Sequence, residues 1–127
     1  MKLTKNFSVK ECACKHCGKC EMDEEFMEIL QAIREEFGKP MKLTSAYRCS
    51  KYNQQVSSSG ANGPHTTGKA VDVLVSGKDA FEFEGIARKH GIQGIGYDQK
   101  GEHSLRYIHI DTLEEATGRP RPWIWTY

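Results

Sequence analysis

The segment KAVDVLV, residues 69 to 75, sets a carboxylate in the middle of an apolar run. The run is short and rich in valine, which reads as a strand, and successive strand residues face opposite ways. Val71 and Val73 therefore share one face, while Ala70, Asp72 and Leu74 share the other. A bare carboxylate is costly to bury, so Asp72 must be ion-paired, hydrogen-bonded or bound to a metal. The chain must fold into a sheet with one face in a hydrophobic core and a partner for Asp72 on the other.

RYIHID, residues 106 to 111, repeats the pattern. Ile108 and Ile110 point one way; Tyr107, His109 and Asp111 point the other. A third group comes from the loop GPHTTG, where His65 follows a proline. Two neutral imidazoles and one carboxylate make the donor set of a catalytic zinc site, with the fourth position left for water. Taken singly, a His–Asp pair can be an ordinary polar contact, and His109 a hydrogen-bonded core residue. The convergence of a loop and two strands favours His65, Asp72 and His109 as metal ligands.

The rest of the chain supplies the frame. NFSVKE reads as a short capped turn, with Ser8 and Glu11 at capping-box spacing. Residues 23 to 37 form an amphipathic helix that starts at Asp23 and stops at Gly38 and Pro40. A strand is expected over 41–48, a short helix over 50–56, and a loop rich in Gly, Ser and Asn over 57–68. A second long helix covers 78–90 and ends at Gly91, followed by a strand over 94–98. In RPRPWIWTY the two prolines restrict any strand to the sheet edge. Helices and strands mix without βα alternation, so the expected class is α+β, a small, mainly antiparallel sheet packed with helices. The 127 residues make one domain, with the Cys-rich segment 12–20 packed onto it.

Charge excludes some partners. With 18 Lys and Arg against 17 Asp and Glu, nothing electrostatic calls for nucleic acid or an anionic membrane. No apolar run is long enough to span a bilayer. MKLTKNFSVKEC has no apolar stretch of the signal-peptide kind, so synthesis in the cytoplasm is expected.

TSAYRCSKYN, then PHTTGKAVD, IGYD, YIHID and a terminal Trp segment occur in an order that resembles the zinc D-Ala-D-Ala carboxypeptidase family. That family groups with lysostaphin-type enzymes and the hedgehog zinc domain. The resemblance runs from Phe7 to Trp123 and is nearest to the small phage and prophage peptidases. It implies a zinc metallopeptidase that cuts amide bonds of peptidoglycan stem peptides through zinc-bound hydroxide. Either D,D-carboxypeptidase or L-Ala-D-Glu-type endopeptidase action would fit. It further implies a monomer that acts at the cell wall or periplasm once a lysis system releases it.

By this resemblance His65, Asp72 and His109 match the zinc ligands. Arg48 matches the arginine that holds the substrate carbonyl and developing oxyanion; a structural salt bridge is its plainer role. The chain departs from the family at Gly63, where serine is frequent, and at Arg106 and Tyr107, where different branches carry the general base. Asp111 is then the first candidate for the base, and equally a candidate to orient His109 through its other ring nitrogen. Glu102 and His103 are held in reserve. A non-catalytic zinc-binding module of the same fold, taking peptides or a protein partner, is the alternative.

Five cysteines, an odd number, argue against a full disulfide framework. Cys14, Cys17 and Cys20 with Cys49 could form a second, structural zinc site if the N-terminal turn packs beside Arg48. Cys12 would be spare and His16 a substitute ligand; disulfides or buried free thiols are the competing readings. Trp123, Trp125 and Tyr127 either line a groove or close a core edge. Gly94 and Gly96 suggest close backbone approach.

Overall fold

In the computed structural model, which describes residues 1–127, four helices pack with a five-stranded sheet in an α+β fold. In chain order the elements are α1 (Val9–Cys12), α2 (Glu24–Phe37), β1 (Leu43–Ser45), α3 (Ser50–Val56), β2 (Ala70–Leu74), α4 (Gly77–Lys89), β3 (Gly94–Asp98), β4 (Tyr107–Asp111) and β5 (Trp123–Thr126).

Local chemistry sets the helix ends. Ser8 and Glu11 form the capping box that starts α1. Asp23 caps α2 by accepting the Phe26 N–H at 2.9 Å, and Gly38, at φ 71°, ends it in the left-handed region. The α2 stripe of Phe26, Met27, Leu30, Ile33 and Phe37 enters the core. Each such side chain contributes roughly 1.5–3 kcal/mol by leaving water. Phe37 meets Phe83 of α4 edge-on at 5.8 Å, and Glu36 receives hydrogen bonds from Lys89 and His90 on the same side.

The sheet order is β1-β2-β4-β3-β5. All neighbours are antiparallel except β3 and β5, which run parallel. β5 sits at the edge, directly after Pro122. Val71, Val73, Ile95, Ile108 and Ile110 face the helices and complete the core. The pleat sends Asp72, His109 and Asp111 to the opposite face. Asp72 lies directly across from His109, and Ala70 from Asp111.

Two expected elements change extent. The strand over 41–48 shrinks to Leu43–Ser45, because the chain leaves the sheet to bond elsewhere. The Tyr47 N–H donates to Cys12 and the Arg48 N–H to the His65 carbonyl. The loop over 57–68 contains two 3₁₀ turns, Gly60–Asn62 and Pro64–Thr67. Gly68 closes the second at φ 76°, and its carbonyl accepts the Asp23 N–H at 2.9 Å. A Cβ there would strike the Glu21 carbonyl, so the His65 turn is pinned to the start of α2 by a residue that must be glycine. No helix is long and apolar enough to cross a membrane.

Candidate metal centre

Asp72 and His109 meet as cross-strand partners, with His109 Nδ1 3.1 Å from Asp72 Oδ1. His65 Nε2 reaches the same oxygen at 3.2 Å. The His65 Nδ1–H donates to the Ala46 carbonyl at 2.8 Å, which leaves the Nε2 lone pair free on the inner side. The two imidazoles pack edge to face at 5.1 Å. His65, Asp72 and His109 are 4%, 6% and 2% exposed, so the three donors converge in a largely desolvated spot. Their donor atoms lie within 4.8 Å of one another. Each ring's outer nitrogen is held by an oxygen, as metal-ligating histidines require. The donor set and its supports fit a zinc ion.

The charges agree with this. Burial works against the Asp72 carboxylate, yet hydrogen bonds from His109 and His65 outweigh it and hold its carboxyl well below the usual range. Burial likewise disfavours a charged His109, but Asp111 and Asp72 on its two nitrogens raise its pKa.

Asp111 stands on the far side of the His109 ring. The Nε2–H of His109 donates to Asp111 Oδ2 at 2.7 Å, opposite the Nδ1 that faces Asp72. Arg121 grips the same carboxylate in a two-pronged pair, Nε to Oδ1 at 3.0 Å and Nη2 to Oδ2 at 2.9 Å. Despite burial, these partners lower the Asp111 pKa. The pair lies in a trough cut by β3: a Cβ at Gly94 would collide with Asp111 and Arg121, and one at Gly96 with the Trp125 indole. Arg121 was not foreseen from sequence; it lies in a polar, Pro-flanked segment with no periodic signal.

Arg48 comes off the end of β1, with Nη2 3.7 Å from Asp72 Oδ2 and Nη1 donating to Asn53 at 3.1 Å. Asn53 is itself buried and also donates to Ser59 and Gly60, tying Arg48 to the loop before His65. A Cβ at Gly63 would strike Ser59 Oγ and Asn53. The space that a residue-63 side chain would need is thus filled by the Ser59 hydroxyl.

These groups open into a groove of about 860 Å³, bounded on one side by residues 56–65 and on the other by residues 117–127, with Trp123, Trp125 and Tyr127 in its wall. The volume is within the range of sites that hold small ligands. Asp72 is the only carboxylate in its lining. Glu102 and His103 lie exposed on a separate turn, outside the groove. Tyr107 lines it, and burial, with Tyr127 and Asp72 nearby, pushes its hydroxyl pKa well up, so it stays protonated and able to donate at neutral pH.

A family model described as Peptidase M15 matches residues 3–111, most of the chain and all of the metal-facing residues. The chain belongs to the Peptidase M15 family. Membership implies a metallopeptidase, and the buried His65, Asp72 and His109 are consistent with its zinc site. A search of curated proteins finds no match. The matched stretch ends at Asp111, and Arg121, Trp125 and Tyr127 of the groove wall lie beyond it.

The thiols divide differently from the expected set of four. Cys14, Cys17 and Cys49 have sulfurs within 4.8 Å of one another, and Cys20 is not among them. The turn from Cys14 is closed by Cys14 N–H to Lys19 O at 2.7 Å and Gly18 N–H to Cys14 O at 2.8 Å. Cys20, just beyond it, packs against the hydrophobic core beside Cys12. Burial and that neighbouring thiol push Cys12 up to about 12. His16 stands beside this group and approaches one member of it, with Nδ1 3.9 Å from Cys49 Sγ.

Proposed function

We propose that this Peptidase M15 protein is a zinc metallopeptidase that hydrolyses amide bonds of peptidoglycan stem peptides, in the manner of a D,D-carboxypeptidase or an L-Ala-D-Glu endopeptidase. The observation that carries the reading is the buried His65–Asp72–His109 group, with both inner nitrogens aimed at one carboxylate oxygen. Zinc held by these three residues would polarise a carbonyl and lower the pKa of water to about 7.

The chain's own residues do the rest. The Ala46 carbonyl and Asp111 hold the two imidazoles in the tautomers that leave the inner nitrogens free. Asp111 orients His109 and does not act as the base, because its carboxylate is occupied by Arg121 and lies behind the ring. Arg48 presents a permanent cation beside Asp72, where a carbonyl oxygen gains negative charge. The protonated Tyr107 hydroxyl is a second donor in the groove. Arg48 and Arg119 in the lining suit a substrate with carboxylates, as stem peptides have. Action at the cell wall after release by a phage-type lysis system, as a monomer, accords with this substrate.

One observation favours a second reading. With Asp72 the only carboxylate in the groove, no free base is in place, and a zinc-bearing peptide-binding module is the alternative. The test is metal content and peptidoglycan digestion on one purified sample, with fragments weighed by mass spectrometry. Zinc and stem-peptide fragments in the wild type, both lost in His109→Ala, support the peptidase. Zinc with intact peptidoglycan supports the binding module.

A further inference from the structure

We propose that Cys14, Cys17 and Cys49, with His16 as the fourth ligand, form a second, structural zinc-class site that fixes the segment carrying Arg48. Its occupancy does not depend on the peptidase reading.

Three of the four donors already stand close to the spacing of a closed tetrahedral site. Bonds of about 2.3 Å to sulfur and 2.0–2.1 Å to nitrogen put sulfurs roughly 3.8 Å apart and sulfur roughly 3.6 Å from nitrogen. The three sulfurs lie within 4.8 Å of one another, and His16 Nδ1 is 3.9 Å from Cys49 Sγ. His16 reaches this group only at Cys49, so its side chain must turn toward Cys14 and Cys17 to complete the site. The His16 ring is held flat on Tyr52, with centroids 5.9 Å apart and planes 5° from parallel.

The backbone is already arranged for thiolates. Cys14 and Cys17 flank a tight turn whose next residue, Gly18, is at φ 76°. The Cys49 N–H donates to Cys14 Sγ at 3.4 Å, and the Tyr52 N–H to Cys49 Sγ at 3.4 Å. Such bonds stabilise a sulfur that has lost its proton. A disulfide would use only two of the three thiols and would leave the His16 placement without a purpose.

The site links segments that are 32 or more residues apart in sequence, and Cys49 directly follows Arg48. Metal binding would release the thiol protons and lock residues 14–17 to residue 49. The Arg48 N–H to His65 carbonyl bond, at 3.0 Å, then has a fixed base.

The test loads the full chain with cobalt(II) under reducing conditions. Wild type should hold two metals per chain and show a thiolate-to-cobalt charge-transfer band. A His65→Ala/His109→Ala variant should keep one metal and the whole band. Cys49→Ser in that background should lose both, and Cys20→Ser should lose neither. His16→Ala should weaken binding at least tenfold and shift the band. On unaltered zinc protein, a mercurial titration should release one zinc in step with three thiols, so the proposal does not depend on variants folding. The absence of a charge-transfer band in the reduced wild type, whatever its metal count, or a native disulfide among these thiols overturns it. An unchanged band in His16→Ala overturns His16 as the fourth ligand.

Discussion

His109 donates through Nε2 to Asp111 Oδ2 at 2.7 Å, on the ring edge opposite the one that faces Asp72. The two nitrogens of one imidazole are thereby assigned to different tasks. If Asp111 orients the ring, Asp111→Asn should weaken zinc binding about 10–100-fold, and excess zinc should restore much of the activity. A base would behave otherwise, with zinc retained and the rate down about 10²–10⁴-fold whatever the zinc concentration. Zinc titration with activity read at each point separates the two.

Arg121 is the counter-ion that makes a fully buried Asp111 tolerable. Arg121→Met leaves that carboxylate without its cation and should cost about 3–5 kcal/mol. Calorimetry on the zinc-loaded protein checks this. Combining it with Asp111→Asn should return part of the loss, since the stranded charge is then gone.

Arg48→Ala should lower kcat/KM about 10²–10³-fold through the lost oxyanion partner, with zinc content unchanged. Arg48→Lys should rescue only part, because an ammonium cannot hold Asn53 and the substrate together as a planar fork does. Steady-state kinetics on a stem peptide gives the answer, alongside metal analysis of the same samples.

The metal-free protein should be most stable in mildly acidic solution. Asp72 and Asp111 have lowered pKa values in the fold, so their contribution is present above an unfolded value of about 3.9 and lost as pH falls through the folded values. His109 is raised, so its contribution is full below about 6.5 and lost as pH rises through its folded value. Melting temperatures of chelated protein should therefore peak between about pH 4 and 6.5. Zinc replaces the proton at His109, so the zinc-loaded protein should lose the alkaline decline. A melting temperature of chelated protein that climbs steadily to pH 8 would contradict this assignment.

Much of the site was legible because pleat and polarity coincide. Asp72 and His109 stand at alternate positions in valine- and isoleucine-rich strands, and a two-residue period reports which way they face without any tertiary knowledge. The α2 stripe was legible for the same kind of reason, with a longer period. Arg121 was not, because an ion pair ten residues from its partner depends on how the intervening loop returns. The separation of Cys20 from Cys14, Cys17 and Cys49 was hidden as well, although His16 was legible as a substitute ligand. Spacing counts residues, but one tight turn at Gly18 decides which side chains come out together. The parallel pairing of β5 with β3 likewise follows from the path of residues 112–122 and has no local signature.

The alternation in β2 and β4 has a consequence for folding. A slip of one residue between these strands would turn Ile108 or Ile110 into the groove and bury His109 among the helices. Such a misaligned chain would be unable to gather the three donors. Metal in the medium would then act as a proofreader, binding only molecules whose strands have aligned correctly and drawing the population toward them.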